Sequence, residues 1–406
     1  MRLPFASSLT LAAAAILLIT TGGRQTMGLF IAPLDRATGL GIVSISLAIA
    51  IGQFMWGFAQ PFFGALADRF GAGRVIVFGG LMLALGMALV PLVQSEWALI
   101  LVLGVVSACG AGAGSFSILI GSVMQRLPAE RRSAAAGFIN AGGSLGQFVF
   151  APAAQAIISG FGWVTAIFAV AAASLLTLPL AWPLRRRRPR AGRGEPTGAP
   201  AMSLWEQLRV AAAEPSYWLL HLGFFTCGFH VAFLVTHLPG EVALCGLPAT
   251  ISANSLAIIG LANVVGSLGA GWLGARYRMK HLLFWIYLTR AIAVLLFLVA
   301  PKTALSFYIF AAVLGVSWLA TVPPTAGLVG KLFGVRYLAT LFGLTLFSHQ
   351  LGGFYGAWLG GLAVANFGDY GWMWYADALL ATLAALSNLP IREARILRAP
   401  AAAAAE

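Results

Sequence analysis

The stretch GALADRFGAGR, residues 64–74, decides the fold, because a second, looser copy, GWLGARYRMK, stands at residues 271–280. Each is a glycine-punctuated basic turn set inside a long apolar region. Apolar runs of roughly 20 residues flank both, long enough to cross ~30 Å of hydrocarbon. Reading outward at that spacing gives twelve spans, at 8–33, 42–67, 75–94, 98–125, 134–158, 162–183, 216–238, 251–274, 281–300, 304–331, 339–365 and 370–390. The two turns then follow spans two and eight, so the chain reads as six spans repeated. Spans one and seven also match: Arg24 precedes Pro33 by nine residues, and His230 precedes Pro239 by nine.

Composition points to lipid as the solvent. Of 406 residues, 60% are hydrophobic and 9% charged, where a soluble domain carries about 25% charged residues. A span in hydrocarbon must satisfy its own backbone, so the expectation is an all-α membrane protein of twelve transmembrane helices in two pseudo-symmetric six-helix bundles. The first apolar run reads as a span, because it is too long for a cleaved leader and further spans follow at once. The expected units are a first bundle over 1–183, a linker over 184–214, a second bundle over 215–391 and a tail over 392–406. Within the linker, Ser203 and Glu206 have capping-box spacing, so SLWEQLR reads as a short helix on the membrane surface. Cys109, Cys227 and Cys245 have neither disulfide nor metal-ligand spacing.

The net charge of +13 would suggest nucleic acid in a soluble protein. Here it is topology. Of 25 Lys and Arg, 21 fall on the side of the termini and linker, two (Arg36 and Lys302) opposite, and two (Arg24 and Arg290) within spans. The positive-inside bias makes the first side cytoplasmic, as in a bacterial inner membrane. No nucleic-acid partner is implied, and a monomer is expected.

GALADRFGAGR resembles the signature loop of the major facilitator superfamily. The resemblance covers essentially the whole chain and implies a transporter in which Gly64, Asp68, Arg69, Gly71 and Arg74 form a conformational latch. Gly64 would let helices approach, Gly71 would permit the tight turn, and Asp68 would pair with an arginine. LPAERRSAAAGF, residues 127–138, is similar to the family's loop after span four, which makes Arg131 and Arg132 the candidates to face Asp68. In the second copy Ala275 stands where Asp68 does, so a weaker latch is expected there. Within the family the chain is most similar to the monocarboxylate-porter and oxalate–formate-antiporter branch. Arg24 falls where eukaryotic members carry a span-one lysine, and His349 where the oxalate exchanger carries a span-eleven lysine. The text VPPTAGLVGKLFG, residues 322–334, agrees. The branch's span-eight arginine is absent, with Ser267 in its place.

A charge inside a span costs about 2.5–3.5 kcal/mol on insertion scales and persists only where it faces protein, water or ligand. Arg24 lies ~6 Å past the centre of span one at 1.5 Å per residue. The twelve acids all read as loop or span-end residues, Asp377 being the deepest. An unpaired guanidinium in a cavity between the halves suits a carboxylate. His230 and His349, near their helix centres, are either ligand-binding or hydrogen-bonded interior residues. Gln147 and Gln350 join them as candidate substrate contacts. Gln53, Gln60, Asn140 and Asn263 either line a polar path or bond between helices. Arg290, on a peripheral span, reads as structural, and His221 and His237 as interfacial.

No Walker loop, GxSxG elbow or metal-ligating cluster is present, so no enzyme, ATP drive or cofactor is expected. The expected function is secondary active transport of a small, monocarboxylate-like anion by alternating access, as proton symporter or exchanger. With no cavity carboxylate in view, either anions exchange without a proton or a histidine carries it, in which case His349 is the better candidate. An efflux pump for hydrophobic or zwitterionic compounds is the alternative, and a non-transporting membrane sensor the alternative from another class.

Overall fold

The computed structural model describes residues 8–124, 126, 129–185, 203–274, 276–334 and 338–394. Ala275 and the side chains of Asp68, Arg69, Arg131 and Arg132 lie outside the described residues. The helices are α1 Ser8–Thr38, α2 Ile42–Phe70, α3 Ala72–Leu92, α4 Glu96–Ile120, α5 Ala129–Phe161 and α6 Trp163–Leu180. After them come the short α7 Leu204–Ala213, then α8 Pro215–Leu244, α9 Ala249–Gly274, α10 Met279–Val299, α11 Ala304–Phe333, α12 Leu338–Phe367 and α13 Gly371–Asn388. Ten of these are long and apolar enough to cross a membrane. With α12 and α13 the set reaches twelve long helices.

The pairing within each half shows the repeat. In the first, α1 packs on α5, α2 on α4 and α3 on α6. In the second, α8 packs on α12, α9 on α11 and α10 on α13. These are the same partners moved on by six spans. The halves meet along α2 with α12 and along α5 with α9. Small residues let them approach. A Cβ on Gly28 of α1 would strike the carbonyl of Val235 on α8, and one on Gly57 of α2 would strike the Gln350 side chain on α12. Gly64 differs from its expected role: among the described residues nothing lies within 4 Å of where its Cβ would be. The halves thus approach closely around Gly28, on the face opposite α7. Gly71 holds that turn with φ +92°, a conformation that costs only glycine little.

Three of the irregular helices have a clear local cause. α1 tightens into a 3₁₀ turn at Met27–Phe30. Just before it, Thr26 turns its hydroxyl back on Gly23 O at 2.8 Å. α11 breaks between Ser317 and Val322, where Pro323 and Pro324 can start a helix but not continue one. α4 carries a π-helical stretch at Ile100–Ser107, with Ser107 Oγ donating to Val102 O at 2.9 Å. α7 begins on a complete capping box: Ser203 Oγ accepts from Glu206 N at 3.3 Å and Glu206 Oε2 from Ser203 N at 2.6 Å.

The turn after α9 is held by a carboxylate the repeat does not supply. Glu393, beyond α13, accepts from Met279 N at 3.1 Å and Lys280 N at 3.5 Å, which caps the start of α10. It also pairs with Lys331 Nζ at 2.7 Å, at the end of α11. Burial opposes ionisation of Glu393, but Lys331 and the two amides outweigh it and hold the carboxyl below its usual range. Lys280 Nζ in turn caps Leu389 O at 2.8 Å.

Candidate substrate site

Arg24 points from α1 toward α2. Its Nη1 donates to Gln53 Oε1, and its guanidinium lies 4.3 Å from the ring centre of Trp56. Gln53 and Trp56 are three residues apart and so share one helix face. The expectation of an unpartnered cation is therefore corrected: an amide and an aromatic face hold Arg24. Neither is an anion, so among the described residues its charge has no acid partner. Its Nε, also buried, has no hydrogen-bond partner.

The cavity beside Arg24 is also not where it was expected. It is about 40 Å³ and is walled by Gly23, Gln53, Met87, Leu103, Ser107 and Ser174. These belong to α1, α2, α3, α4 and α6. The cavity thus lies inside the first bundle, and not between the halves. Two of its walls, Leu103 and Ser107, come from the π-helical stretch of α4. At roughly 10–15 Å³ per water it has room for about three waters.

Gln350 faces α2 from α12, one turn from Gly353, which lies against Gln53. Gln350 is 2% exposed and lies against Gly57, one turn from Gln53. Its Nε2 donates to His349 Nδ1 at 3.2 Å, and the half-buried His349 ring lies 5.5 Å from Phe224. The structure thus brings Arg24, Gln53 and Gln350 to the same stretch of the α1–α2–α12 seam, and sets the His349 ring against Phe224 and Cys227 of α8. Gln147 is at the other seam, under Gly260 where α5 meets α9, with its Nε2 buried and unbonded.

His230 belongs elsewhere. It is 0% exposed, and its Nδ1 lies 2.6 Å from Asp377 Oδ2, itself 0% exposed. Asp377 was read as a span-end acid. It is the seventh of the 18 residues of α13, and α13 turns it inward. Hydropathy finds a helix but does not say which of its faces meets protein. His237 is corrected for the same reason. It is buried, with Nε2 2.6 Å from Ala357 O and Nδ1 3.4 Å from Tyr370 Oη. Arg290 is structural: Nη2 donates to Ser317 O at 2.5 Å and Trp318 O at 2.9 Å. It caps the carbonyls freed by the break in α11, a favourable place for a cation.

Asn263 is the residue whose role the sequence least disclosed. Its Nδ2 donates across the halves to Ser144 Oγ at 2.9 Å, and its Oδ1 accepts from Leu319 N at 3.0 Å at the break in α11. Ser267, where the branch carries arginine, donates to the same Oδ1 at 3.1 Å. The only sequence signal was an amide in a span with no charge beside it.

Two six-helix halves related by a repeat, with an intramembrane cation beside the helix that meets the other half, are the architecture of a secondary transporter. The family model of the Major Facilitator Superfamily matches residues 13–357, and the chain belongs to that superfamily. It is 26% identical over 357 residues to monocarboxylate transporter 13 of Rattus norvegicus, covering 86% of this chain and 80% of that one. It is 24% identical over 370 residues to the oxalate:formate antiporter of Oxalobacter formigenes, covering 88% and 84%. A solved D-xylose–proton symporter matches with TM-score 0.72 at 15% identity, over 95% of this chain and 97% of that one. A bacterial homologue of the human lysosomal transporter Spinster, solved inward-facing and unoccupied, matches with TM-score 0.71 at 16% identity, over 96% and 95%. These two share the fold. Transporters of this superfamily are not enzymes in general.

Proposed function

We propose that the protein carries a small, monocarboxylate-like organic anion across a bacterial cytoplasmic membrane by alternating access, as a monomer with both termini inside. One observation carries the reading: Arg24 holds an intramembrane charge that no described acid neutralises. A guanidinium supported by Gln53 and Trp56 keeps donors free for a carboxylate, the buried Nε among them. Gln350 and His349 supply the facing polar groups from the second half, so an anion bound between them would draw α2 and α12 together. Gln147 contributes a further donor at the α5–α9 seam. The matches to a monocarboxylate transporter and an oxalate:formate antiporter support a carboxylate substrate. The Asp68 loop, with Arg69, Arg74, Arg131 and Arg132, is proposed to latch one conformation, and Glu393 with Lys331 to hold the second half in its place.

Proteoliposomes loaded with purified protein test the reading against a panel of radiolabelled acids, amines and neutral sugars. Uptake of one or more short monocarboxylates, competed by other short carboxylates, is expected. Transport of lipophilic cations or zwitterions with no carboxylate uptake would favour the efflux reading. Saturable binding of a carboxylate with no transport would favour a sensor.

A further inference from the structure

The second half contains a buried ionisable group that the proposed anion site does not use. His230 and Asp377 meet at 2.6 Å with 0% exposure each. Both are incompletely satisfied: His230 Nε2 and Asp377 Oδ1 are buried with no hydrogen-bond partner. A pair kept only for stability would do better as packed apolar side chains, since desolvation of a buried ion pair commonly exceeds its mutual attraction. Unmet polar atoms of this kind in an interior call for an explanation.

We propose that His230 and Asp377 form the proton-binding site of this carrier, with His230 Nε2 as the atom that takes the proton. The proposal rests on the transport reading above. Arg290, also 0% exposed, places a fixed positive charge in the same half. Taken as Nδ1 donating to Oδ2, the 2.6 Å contact leaves the neutral imidazole without a hydrogen on Nε2. Nε2 is then a free lone pair. Proton uptake there gives an imidazolium that Asp377 holds in place, as the carboxylate of a Ser-His-Asp triad does. Release returns the same tautomer, so one proton is bound and released with no other bond changed.

The surroundings connect the pair to parts of the fold that can move. The His230 ring lies 5.8 Å from that of Trp318, the first residue of the break in α11. Arg290 grips the Trp318 carbonyl from the other side. An added charge on His230 is thus felt at the one described break in the second half. The other titratable or charged groups on the packed elements are Tyr287, Arg290, Lys280 and His281 on α10, His349 and Tyr355 on α12, and Cys227, His221 and Tyr217 on α8. Toward the far ends stand His237 and Glu241 on α8, Tyr308 and Lys331 on α11, and Tyr375 on α13. The described part of α9 carries none. Asp377 is the acid that touches a histidine at this depth. Among the described residues His349 meets the Gln350 amide and the Cys227 thiol, and no carboxylate.

The test separates proton coupling from anion transport. With wild-type protein, a one-unit inward pH gradient should drive about tenfold accumulation of a labelled carboxylate, the ratio that one coupled proton supplies. His230→Gln and Asp377→Asn should lose that accumulation while retaining carboxylate counterflow, which needs no gradient. His221→Gln, at a histidine of α8 that neither site uses, should keep both. Gradient-driven accumulation that survives in His230→Gln or Asp377→Asn overturns the proposal, as does a wild type that transports carboxylate without responding to the gradient. If the wild type transports no carboxylate by either assay, the transport reading itself is wrong. Should a variant fail to insert, wild-type protein in lipid with ¹⁵N-histidine and ¹³C-aspartate decides by solid-state NMR. A histidine in contact with an aspartate carboxyl must gain a second ring proton between pH 8 and 5, and its absence also overturns the proposal.

Discussion

Arg24→Met should leave the protein about as stable as the wild type while removing anion binding. The two parts of this expectation come from opposing terms. Arg24 loses a charge-assisted hydrogen bond to Gln53, about 1.5–3 kcal/mol. It also loses the contact with Trp56, about 1–2 kcal/mol when desolvated. Against these stands the cost of keeping a cation in the span, about 2.5–3.5 kcal/mol, which methionine does not incur. Methionine also fills similar space, so no large cavity follows. The net change should fall between a gain of about 1 kcal/mol and a loss of about 2.5 kcal/mol, the extremes of those ranges. Binding has no such offset, because the anion needs the charge. Loss of a bidentate carboxylate contact worth about 1.5–3 kcal/mol lowers affinity roughly 10- to 150-fold. Lysine should restore part of it, having the charge but not the fork. Denaturant unfolding in detergent reads the first quantity and carboxylate-dependent thermal shift the second. A loss of more than about 3 kcal/mol in stability would mean that Arg24 is retained to hold α1 on α2. Unchanged carboxylate affinity in a stable Arg24→Met protein would refute the anion site outright.

Glu393→Gln should lower stability by about 1–2 kcal/mol, through loss of a helix cap and an ion pair that is half solvated at Lys331. Because the folded Glu393 carboxyl titrates below its usual range, its contribution is complete above the unfolded value near 4.3 and disappears as pH falls through the lower folded value. Wild type and variant should therefore melt apart at pH 7 and converge near pH 3. Gly28→Val should disfavour the close approach to Val235, so a cysteine placed in the central seam should become more reactive from the face opposite α7, and unchanged labelling would count against that approach. Asn263→Ala should cost about 1–3 kcal/mol, since Leu319 N at the break in α11 loses its acceptor, and a change below 0.5 kcal/mol would show that bond to be dispensable.

The twelve helices and their division into two sixes were legible in the sequence because a bilayer makes one demand of every span. Hydropathy, the paired turns at 64–74 and 271–280, and the capping box at Ser203 are local patterns, and a local pattern fixes a local element. The depth of Arg24 was legible for the same reason. What lay beyond the sequence was which face of each helix meets which neighbour. That is set by packing between residues far apart in the chain. Asp377 looked like a span-end acid until α13 turned it onto His230, 147 positions away. Arg24 looked unpartnered until α2 brought up Gln53 and Trp56. Glu393 had no place in the repeat, yet it caps the start of α10 from 113 residues downstream. The sequence by itself determined the solvent, the helices and the repeat. Only the tertiary structure decided the partners of each buried charge, because a charge in low dielectric is governed by the few atoms within hydrogen-bond reach, whatever their separation along the chain.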